Sequence, residues 1–552
     1  MLLVGINAKY IHSNLAIRYL AAAEPRCRFC EYSIADRPEQ IAADLFKTGA
    51  RAFLFSCYIW NIETVLRVCE ILKAADRTLR LALGGPEVSL DAEACLAAHP
   101  SVDFILCGEG EPSITPFADM LCADGSPDAV PGLWYRLGDT ICKSPLPPQE
   151  ADLEALPFPY TDADMEALQN RIVYFETSRG CPYRCAFCLS GSAGRLRFLS
   201  VERTMRAVDF FARHHVPLVK LVDRTFNAEP KRALAIIEGI KARGGQTTYH
   251  FEIRAESMTE ELIHSLQTAP KGMFQLEIGV QSTNPETLEA ICRKPDFERL
   301  TKVVKALAKN NNMHLHLDLI AGLPGESLAM FIRSFHTVMA MHPHDLQLGF
   351  LKKLKGAALS APGSRFWSFP PYEVIHSDAM SYADLLLLKD VEEMLERYYN
   401  SGAFKVTVPY ILKTHYAGRE FYFFYDMAVF MQGDLTAKSL KTMFERLHKF
   451  GTEKLADTKI TEYLIYDYCL RHRDSLSFMP SGDGLKEKAF AFLKQEKTAA
   501  RCFPLYAGEK PTALYKKIRF VPIGSRVFAF DAAHRTAVDV TEAFAGLPEG
   551  LE

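Results

Sequence analysis

The chain has 552 residues, which is too long for one hydrophobic core, and at about 100–200 residues per domain it should form three or four structural units. Hydrophobic residues make up 48% of the chain and charged residues 24%, which excludes a disordered or fibrous protein. The formal net charge of -3 provides no overall basic field, so nucleic acid is not the expected partner. Charges interrupt every apolar run before membrane-spanning length, and the first residues do not resemble a signal peptide. We therefore expect a cytoplasmic protein without membrane segments.

Residues 1–125 alternate β-rich runs with amphipathic stretches, which predicts a Rossmann-like, doubly wound parallel sheet with helices on both faces. The predicted strands are Leu2–Ile6, Cys30–Ile34, Ala52–Ser56, Leu81–Leu83 and Phe104–Cys107. Ligands of such sheets bind outside the carboxyl ends of the strands, where the strand order reverses. Glycines and polar residues follow four of these strands, so we expect a large ligand there. The candidate contacts are Asn7, Tyr10, His12, Ser56, Cys57, Tyr58, Gly84, Gly85, Pro86, Glu87, Gly108 and Glu109.

Residues 126–170 are rich in proline, glycine and acidic residues and are predicted to be a linker with a hairpin-like pair, Leu133–Arg136 and Thr140–Lys143. Residues 171–355 resume the βα alternation with six strands, which indicates a partial (β/α)6 barrel. Those strands are predicted at Ile172–Glu176, Leu218–Val222, His250–Arg254, Gln275–Gly279, His316–Ile320 and Gln347–Phe350.

Residues 356–552 are predicted to form a mainly α-helical domain, of which Ala383–Tyr399 is the clearest helix. Two interpretations of this domain remain open. It either folds around its own core without a catalytic role, or closes the open side of the barrel as a lid and selects the substrate.

Three cysteines, Cys181, Cys185 and Cys188, follow the first barrel strand within eight residues. Thiolates select zinc or iron–sulfur clusters, and three on one loop leave one metal position without a local protein ligand. A zinc site usually takes its fourth Cys or His nearby, and residues 189–194 contain neither. The motif therefore predicts an open iron–sulfur cluster. The other cysteines are scattered, and we expect most of them to be free thiols in a reducing compartment.

This C-x3-C-x2-C loop, with Phe187 before the last cysteine, resembles that of the radical S-adenosylmethionine (SAM) enzymes. The resemblance implies that the three cysteines hold a [4Fe–4S] cluster and that SAM chelates the fourth iron. An electron from the cluster would split SAM into methionine and a 5′-deoxyadenosyl radical. Polar residues at the later strand ends agree with this family, and Asp223 with Arg224 stands where the family has a segment that meets the SAM amino group. These residues are Asp223, Arg224, Arg254, Glu256, Glu277 and Gln281. For each of them a salt bridge or a cap at a strand end is the open alternative.

The N-terminal sheet, joined to such a barrel, resembles the cobalamin-binding radical SAM enzymes. The likeness is carried by Ser56-x-Tyr58, by Gly84-Gly85 and by Gly108-Glu109-Gly110-Glu111. Many other cobalamin proteins have Asp-x-His-x-x-Gly after the first strand, whereas this sequence has Tyr10-x-His12-x-x-Leu15. An aspartate normally orients a ligating imidazole, so its absence predicts a cobalt without a strong lower ligand from His12.

The resemblance implies a methylase that acts on an unactivated carbon, with a methyl group carried by cobalamin and a 5′-deoxyadenosyl radical that activates the substrate. One alternative is a cyclisation, ring contraction or oxidation without methyl transfer. A second is a cobalamin or redox sensor without turnover. The expected substrate is a small molecule or peptide rather than nucleic acid, and the expected electron donor is a flavodoxin or ferredoxin.

Overall fold

The computed structural model describes residues 1–122, 125–191, 195–294, 296–431, 439–480, 485–545 and 547. The chain divides into two compact units, and the first comprises Met1–Ser334, Met341–His344 and Leu348–Leu385. The second comprises Phe335–Ala340, Asp345–Gln347 and Leu386–Glu552. The predicted α/β fold is confirmed, because the first unit contains two largely parallel sheets with helices between their strands.

The N-terminal sheet has seven strands in the spatial order β2–β1–β3–β4–β5–β6–β7. They are β1 (Leu2–Asn7), β2 (Arg28–Ser33), β3 (Ala52–Ser56), β4 (Arg80–Gly84), β5 (Phe104–Leu106), β6 (Leu133–Leu137) and β7 (Thr140–Lys143). The helices that follow the first five strands are α1 (Leu15–Ala23), α2 (Pro38–Lys47), α3 (Ile62–Ala75), α4 (Ala92–Ala98) and α5 (Glu111–Cys122). The first five strands are parallel, and the strand order reverses between β1 and β3. A ligand is therefore expected at the carboxyl ends of these two strands.

Strand β1 is buried on both faces, which explains its nearly continuous apolar sequence. Leu2, Val4 and Ile6 belong to a core that also contains residues of α2, α3 and α4. Leu3 points to the opposite face and packs in a second core with residues of α1 and α5, among them Phe117. The period of two along the strand thus builds one core on each face of the sheet.

The hairpin β6–β7 extends this sheet in the antiparallel direction, with Leu133 opposite Leu106 and Trp134 opposite Lys143. Part of the segment that the sequence predicts as a linker therefore lies in the N-terminal sheet. Its prolines and glycines concealed the apolar anchors Val130 and Leu133, which are fully buried in the core beside α5.

The second sheet is parallel, with the order β15–β14–β13–β12–β11–β8, as a partial barrel requires. Its strands are β8 (Val173–Phe175), β11 (Leu218–Leu221), β12 (Thr248–Ile253), β13 (Phe274–Gln281), β14 (His314–Ala321) and β15 (Asp345–Phe350). A two-stranded ribbon, β9 (Ser178–Arg179) with β10 (Arg197–Phe198), stands between β8 and the next helix. The helices are α6 (Asp162–Ala167) before the barrel, then α7 (Val201–Arg213), α8 (Pro230–Arg243), α9 (Glu260–Gln267), α10 (Pro285–Ala290), α11 (Phe297–Ala308) and α12 (Leu328–Met339).

The segment after the barrel belongs to the first unit as far as Leu385. It contains the ribbon β16 (Arg365–Phe366) and β17 (Val374–His376) and the start of α13 (Tyr382–Leu395). Val374 is buried, and its backbone N–H donates to the carbonyl of Leu351 at 2.9 Å. The sequence places the start of the C-terminal domain at residue 356, whereas these contacts keep the next thirty or so residues on the barrel side.

The second unit is mainly helical, as predicted. Its elements after α13 are α14 (Thr407–His415), α15 (Glu420–Met431), α16 (Leu440–Lys449), α17 (Lys459–Cys469), α18 (Leu485–Lys494), α19 (Glu496–Cys502), α20 (Pro511–Lys517), β18 (Ile518–Ile523), β19 (Arg526–Asp531), β20 (Thr536–Asp539) and α21 (Thr541–Ala545). The three strands form an antiparallel sheet that the sequence reading missed. No described helix of the chain is long and apolar enough to cross a membrane.

Candidate cofactor sites at the strand ends

A cavity of about 740 Å³ opens between the carboxyl ends of the N-terminal strands and those of the first barrel strands. The N-terminal domain lines it with residues that follow β1, β3, β4 and β5 and with the inner face of α1. These include Asn7, His12, Asn14, Tyr19, Ser56, Tyr58, Trp60, Gly84, Gly85, Pro86, Gly108, Glu109, Gly110 and Glu111. The barrel contributes Tyr174, Glu176, Arg179, Lys220, Val222, Arg224 and Glu252.

The glycines of the N-terminal edge serve two different purposes. Gly84 lines the cavity, and a Cβ atom there would make ordinary contacts of 3.6 Å or more with Leu106 and Leu54, so the protein has room for a side chain at this position. Gly85 has a φ of +114°, and a Cβ there would lie 2.5 Å from the carbonyl oxygen of Cys57. Gly85 is therefore required by the backbone of its own domain, whereas the backbone does not require a glycine at position 84.

An aromatic pair forms one wall of the cavity. The rings of Tyr58 and Trp60 are stacked with centroids 4.4 Å apart and an interplanar angle of 6°. Trp60 remains 45% exposed, so it offers a flat apolar surface to a ligand at the cavity mouth.

His12 lies where the N-terminal sheet meets the first barrel strand, within the first compact unit. Its Nδ1 is 2.6 Å from the hydroxyl oxygen of Tyr174, and its backbone forms a parallel bridge with Ile172. Burial, together with the nearby cations Lys9 and Lys220, lowers the pKa of His12 and favours the neutral imidazole. Tyr10 is 75% exposed and does not line the cavity. The partner that orients the imidazole is thus a barrel tyrosine.

The three cysteines lie on a loop directly after β9, and each side chain is partly exposed. Cys181 Sγ is 3.5 Å from Thr225 Oγ1, and the backbone N–H of Ser190 donates to Cys188 Sγ at 3.4 Å. The N–H of Ala186 donates to the carbonyl of Ile291 at 3.0 Å, which ties the loop to the far side of the barrel. Burial raises the pKa of the Cys185 thiol. Three unpaired thiols on one loop are the donor set of an iron–sulfur cluster.

Comparison with known proteins agrees with both halves of this site. Residues 1–116 match the model of the B12 binding domain, and residues 175–338 match the model of the radical SAM superfamily. The chain therefore contains a B12-binding domain followed by a radical SAM domain, as the resemblance to cobalamin-binding radical SAM enzymes predicted. Residues 363–540 match a family of unknown function, DUF4080.

Two curated relatives and one solved structure illustrate the likeness. The cobalamin-dependent radical SAM methyltransferase TokK of Streptomyces tokunonensis is 30% identical over 56% of this chain and 47% of its own length. The 2-(S-pantetheinyl)-carbapenam-3-carboxylate methyltransferase of Streptantibioticus cattleyicolor is 29% identical over 60% of this chain and 50% of its own. The chain spans about half the length of these relatives.

The fold also matches that of the cobalamin-dependent SAM radical enzyme OxsB, solved with aqua-cobalamin and SAM. Its TM-score is 0.57 at 15% identity, over 84% of this chain and 78% of OxsB. The predicted cofactors, a [4Fe–4S] cluster, SAM and cobalamin, are thus confirmed at the level of the two domains.

Buried acceptors of the barrel, one of them linked to the cluster loop, fit a polar cofactor such as SAM. Neither carboxylate oxygen of Glu256 has a hydrogen-bond donor among the described residues, and the same holds for Oε1 of Gln281. Glu256 lies 3.4 Å from Arg254 Nε, and the Arg254 guanidinium stacks on the ring of Tyr183 within the cysteine loop, 4.0 Å from its centroid. Buried polar groups normally have hydrogen-bond partners, so these oxygens are available to accept hydrogen bonds from a ligand. SAM carries suitable donors on its amino group and its ribose hydroxyl groups.

Other predicted contacts are already held by protein donors. Asp223 is fully buried and accepts hydrogen bonds from the N–H of Thr177 at 2.6 Å and from Ser178 Oγ at 2.8 Å. Glu277 is paired with Lys220 Nζ at 2.9 Å and with His250 Nε2 at 3.0 Å, which lowers its pKa despite burial. These two carboxylates therefore hold the barrel strand ends in place.

Cys57, Glu87 and Phe187 also stand outside the lining of the cavity. Cys57 is fully buried and its thiol faces the carbonyl of Phe55 at 3.5 Å. Glu87 is paired with Lys355 at 3.2 Å and accepts a hydrogen bond from Tyr372 at 2.5 Å. Cofactor contacts for these residues remain sequence predictions.

Glu252 is a cavity-lining carboxylate that the sequence analysis did not predict. It lies within β12, lines the cavity and has the Arg224 guanidinium as a distant partner at 4.0 Å. Burial raises the pKa of Glu252 to about 7. Tyr174 and Lys220 also line the cavity, and the sequence analysis did not predict them either. They stand inside strands, on the polar positions of a period-two alternation that the sequence does display.

Proposed function

We propose that this protein is a cobalamin-dependent radical SAM methyltransferase that methylates an unactivated carbon of a small molecule. The supporting observation is the shared cavity, which is bounded by the glycine-rich strand ends of the B12-binding domain and by the polar strand ends of the barrel. A methyl carrier and a radical source must both reach one substrate carbon, so their sites have to open onto one space.

Two groups of residues would hold the cofactors, one on the barrel outside the cavity lining and one on the cavity wall of the N-terminal domain. Cys181, Cys185 and Cys188 would hold the cluster, with Arg254, Glu256 and Gln281 near SAM. Ser56, Tyr58, Trp60, Gly84 and Gly108 would surround cobalamin. When bound, the reduced cluster supplies the electron that cleaves SAM, and cobalamin supplies a methyl group.

The chain itself contributes orientation and a dry environment. Lys220, His250 and Glu277 form a hydrogen-bonded set whose members face the barrel interior from three successive strands. Such a set keeps its geometry when a ligand enters, because every member is already held by another. Glu252 is a carboxylate with a raised pKa at the cavity wall, so at neutral pH it is able to accept a proton or a hydrogen bond from a ligand.

The partners are inferred from chemistry. Both curated relatives quoted above are named as methyltransferases, and the second is named for a carbapenam carboxylate substrate, which favours a small molecule here. Reduction of the cluster requires an electron donor, for which we propose a flavodoxin or ferredoxin. We propose that the C-terminal region selects the substrate.

The test is a turnover assay with anaerobically reconstituted protein, a chemical reductant, SAM carrying a deuterated methyl group, and extracts of a strain that lacks the gene. A product that gains CD₃ in place of hydrogen supports methylation. A product that only loses hydrogens would replace it by the cyclase or oxidase alternative. Reduced protein that forms no 5′-deoxyadenosine under any condition would favour the sensor alternative.

A further inference from the structure

The cysteine loop is bracketed by two arginines that lie opposite each other. Arg179 in β9 and Arg197 in β10 are register partners in the antiparallel ribbon, so the chain leaves the ribbon at Arg179 and returns at Arg197. All three cluster cysteines lie between these two positions. Whatever holds the two arginines therefore holds both ends of the loop.

Both arginines converge on Glu109, which follows β5 in the B12-binding domain. Arg179 Nη1 lies 2.9 Å from Glu109 Oε2, and Arg197 donates to both oxygens of the same carboxylate. The backbone N–H of Ala151 adds a further hydrogen bond to Oε2 at 2.7 Å. Glu109 was predicted from sequence as a cofactor contact, yet protein donors already surround its carboxylate.

The geometry of Arg179 is fixed by two further carboxylates. Its Nη2 lies 2.8 Å from Glu111 and 2.5 Å from Glu176, and its side chain is only 20% exposed. Glu111 comes from the B12-binding domain and Glu176 from the end of the first barrel strand. A planar guanidinium binds several carboxylates in fixed directions, which lysine does not do. This arrangement is largely desolvated, so it is more rigid than a surface ion pair.

We propose that Glu109, Arg179 and Arg197 form a clamp that positions the cluster loop against the carboxyl end of β5 and thereby fixes the spacing between the iron–sulfur cluster and cobalamin. The three are positioning residues. The clamp rests on the proposed function only in requiring that both cofactors bind, and it needs no particular substrate. Displacements of about 1 Å at a reacting centre cost up to 100-fold in rate, which gives such a clamp a purpose.

The test compares full-length wild-type protein with Glu109→Gln, which keeps the size of the side chain and removes its charge. Both are reconstituted with cluster and cobalamin, and the magnetic interaction between cob(II)alamin and the reduced cluster is measured by electron paramagnetic resonance. We expect iron and cobalamin contents equal to those of the wild type, but at least a twofold change in the spin–spin broadening. The double variant Glu109→Gln with Arg197→Gln should change it no further, because both belong to one unit.

The matched control is Glu24→Gln, a buried carboxylate paired with Arg26 within the N-terminal domain and outside the cavity lining. It should leave the broadening unchanged. Spin–spin broadening identical to the wild type in Glu109→Gln, with both cofactors present, would overturn the clamp. A further change in the broadening of the double variant relative to Glu109→Gln would also overturn it.

Hydrogen exchange of the cofactor-free protein gives a second measurement that does not depend on cofactor loading. Exchange at the β10 amides should be at least tenfold faster in Glu109→Gln than in the wild type and unchanged in Glu24→Gln. Unchanged exchange in Glu109→Gln would contradict the clamp. A wild-type protein that binds no cobalamin would refute the proposed function, while this exchange measurement would still decide on the clamp.

Discussion

The two edges that meet at the cavity differ in the kinds of side chain that line it. Apart from Glu109 and Glu111, which are held by arginines of the ribbon, the N-terminal edge presents mainly glycines, aromatic rings and uncharged polar groups, with Gly84 and the Tyr58–Trp60 stack in the lining. The barrel edge presents charges, with Lys220, Arg224 and Glu252 on the wall and further ion pairs behind them. The first edge selects a ligand by shape, the second by charge and hydrogen bonds. A large corrin suits the first, and SAM with a polar substrate suits the second.

The comparison also separates two groups of carboxylates. Glu109, Asp223 and Glu277 are saturated by protein donors and hold loops or strand ends. Glu252 and Glu256 lack close hydrogen-bond donors among the described residues, since their arginine partners lie at 4.0 and 3.4 Å. Carboxylates in the first group act on the protein itself, whereas those in the second are available to ligands. The predictions below test this division, starting from the largest effect.

Removal of the cluster ligands should abolish iron binding on the barrel and spare cobalamin binding in the N-terminal domain. Cys181, Cys185 and Cys188 changed together to Ala should reduce cluster iron from about four per chain to near zero. Cobalamin binding should persist, because its strand ends lie in another domain. Iron analysis and the cobalamin absorption spectrum measure both. Cys122→Ala with Cys142→Ala is the matched control and should retain its iron.

A larger side chain at Gly84 should weaken cobalamin binding and leave the iron–sulfur cluster intact. A Val at Gly84 has room for its Cβ in the protein, and because Gly84 lines the cavity we expect the added methyl groups to reduce the space for a ligand there. We expect cobalamin affinity to fall at least tenfold, which corresponds to about 1.4 kcal/mol. Iron content should be unchanged. Cobalamin titration followed by absorption tests this, and wild-type affinity in Gly84→Val would contradict the location of the corrin.

The raised pKa of Glu252 predicts a pH-dependent stability. Its folded-state pKa is about 7 against an ordinary value of 4.5, so the contribution of this one carboxyl to the stability of the cofactor-free protein becomes more unfavourable as pH rises between those values. Glu252→Gln does not titrate and should therefore be more stable than the wild type at pH 8, by up to roughly 3 kcal/mol.

At pH 4 that advantage should vanish. Urea unfolding at the two pH values measures the difference. Glu298→Gln, which removes an exposed partner of Lys302, serves as the control and should behave like the wild type at both. An equal effect of Glu252→Gln at both pH values would show that the carboxylate is not desolvated.

The smallest expected effect concerns Trp60. Because it is nearly half exposed, Trp60→Phe should change the free energy of unfolding by less than about 1 kcal/mol. Bound cobalamin should quench the fluorescence of this tryptophan more than that of Trp367, which does not line the cavity. The quenching on cobalamin addition should fall strongly in Trp60→Phe and little in Trp367→Phe. Equal quenching in both variants would remove Trp60 from the site.

The sequence predicts the elements that a single periodicity specifies. Ala52–Ser56 has the predicted bounds, and the barrel strands agree within a few residues. The hairpin of Leu133–Leu137 with Thr140–Lys143 is confirmed, but the sequence places it in a linker rather than in the N-terminal sheet, because its proline-rich flanks outweigh a few buried apolar anchors. The strands Ile518–Ile523 and Arg526–Asp531 were missed, although Gly524-Ser525 between them is a two-residue hairpin signal.

The residues of the candidate site also fall into two groups, those that the sequence predicts and those that it does not. Residues that follow a strand, such as Ser56 and Gly84, were predicted because strand ends converge at one edge. Residues inside strands, such as Glu252, were missed because alternation identifies a polar face without saying what that face meets. The role of Arg179 depends on three carboxylates from two domains, and no spacing in the sequence encodes that convergence.

Anomalous diffraction from crystals of the reconstituted protein, collected at the cobalt and iron edges, tests the central claim most directly. The account predicts an iron peak at Cys181, Cys185 and Cys188 and a cobalt peak in the cavity bounded by Ser56, Gly84 and Gly108, both facing the same space. A cobalt peak outside this cavity, or one separated from the iron by the protein core, would contradict it.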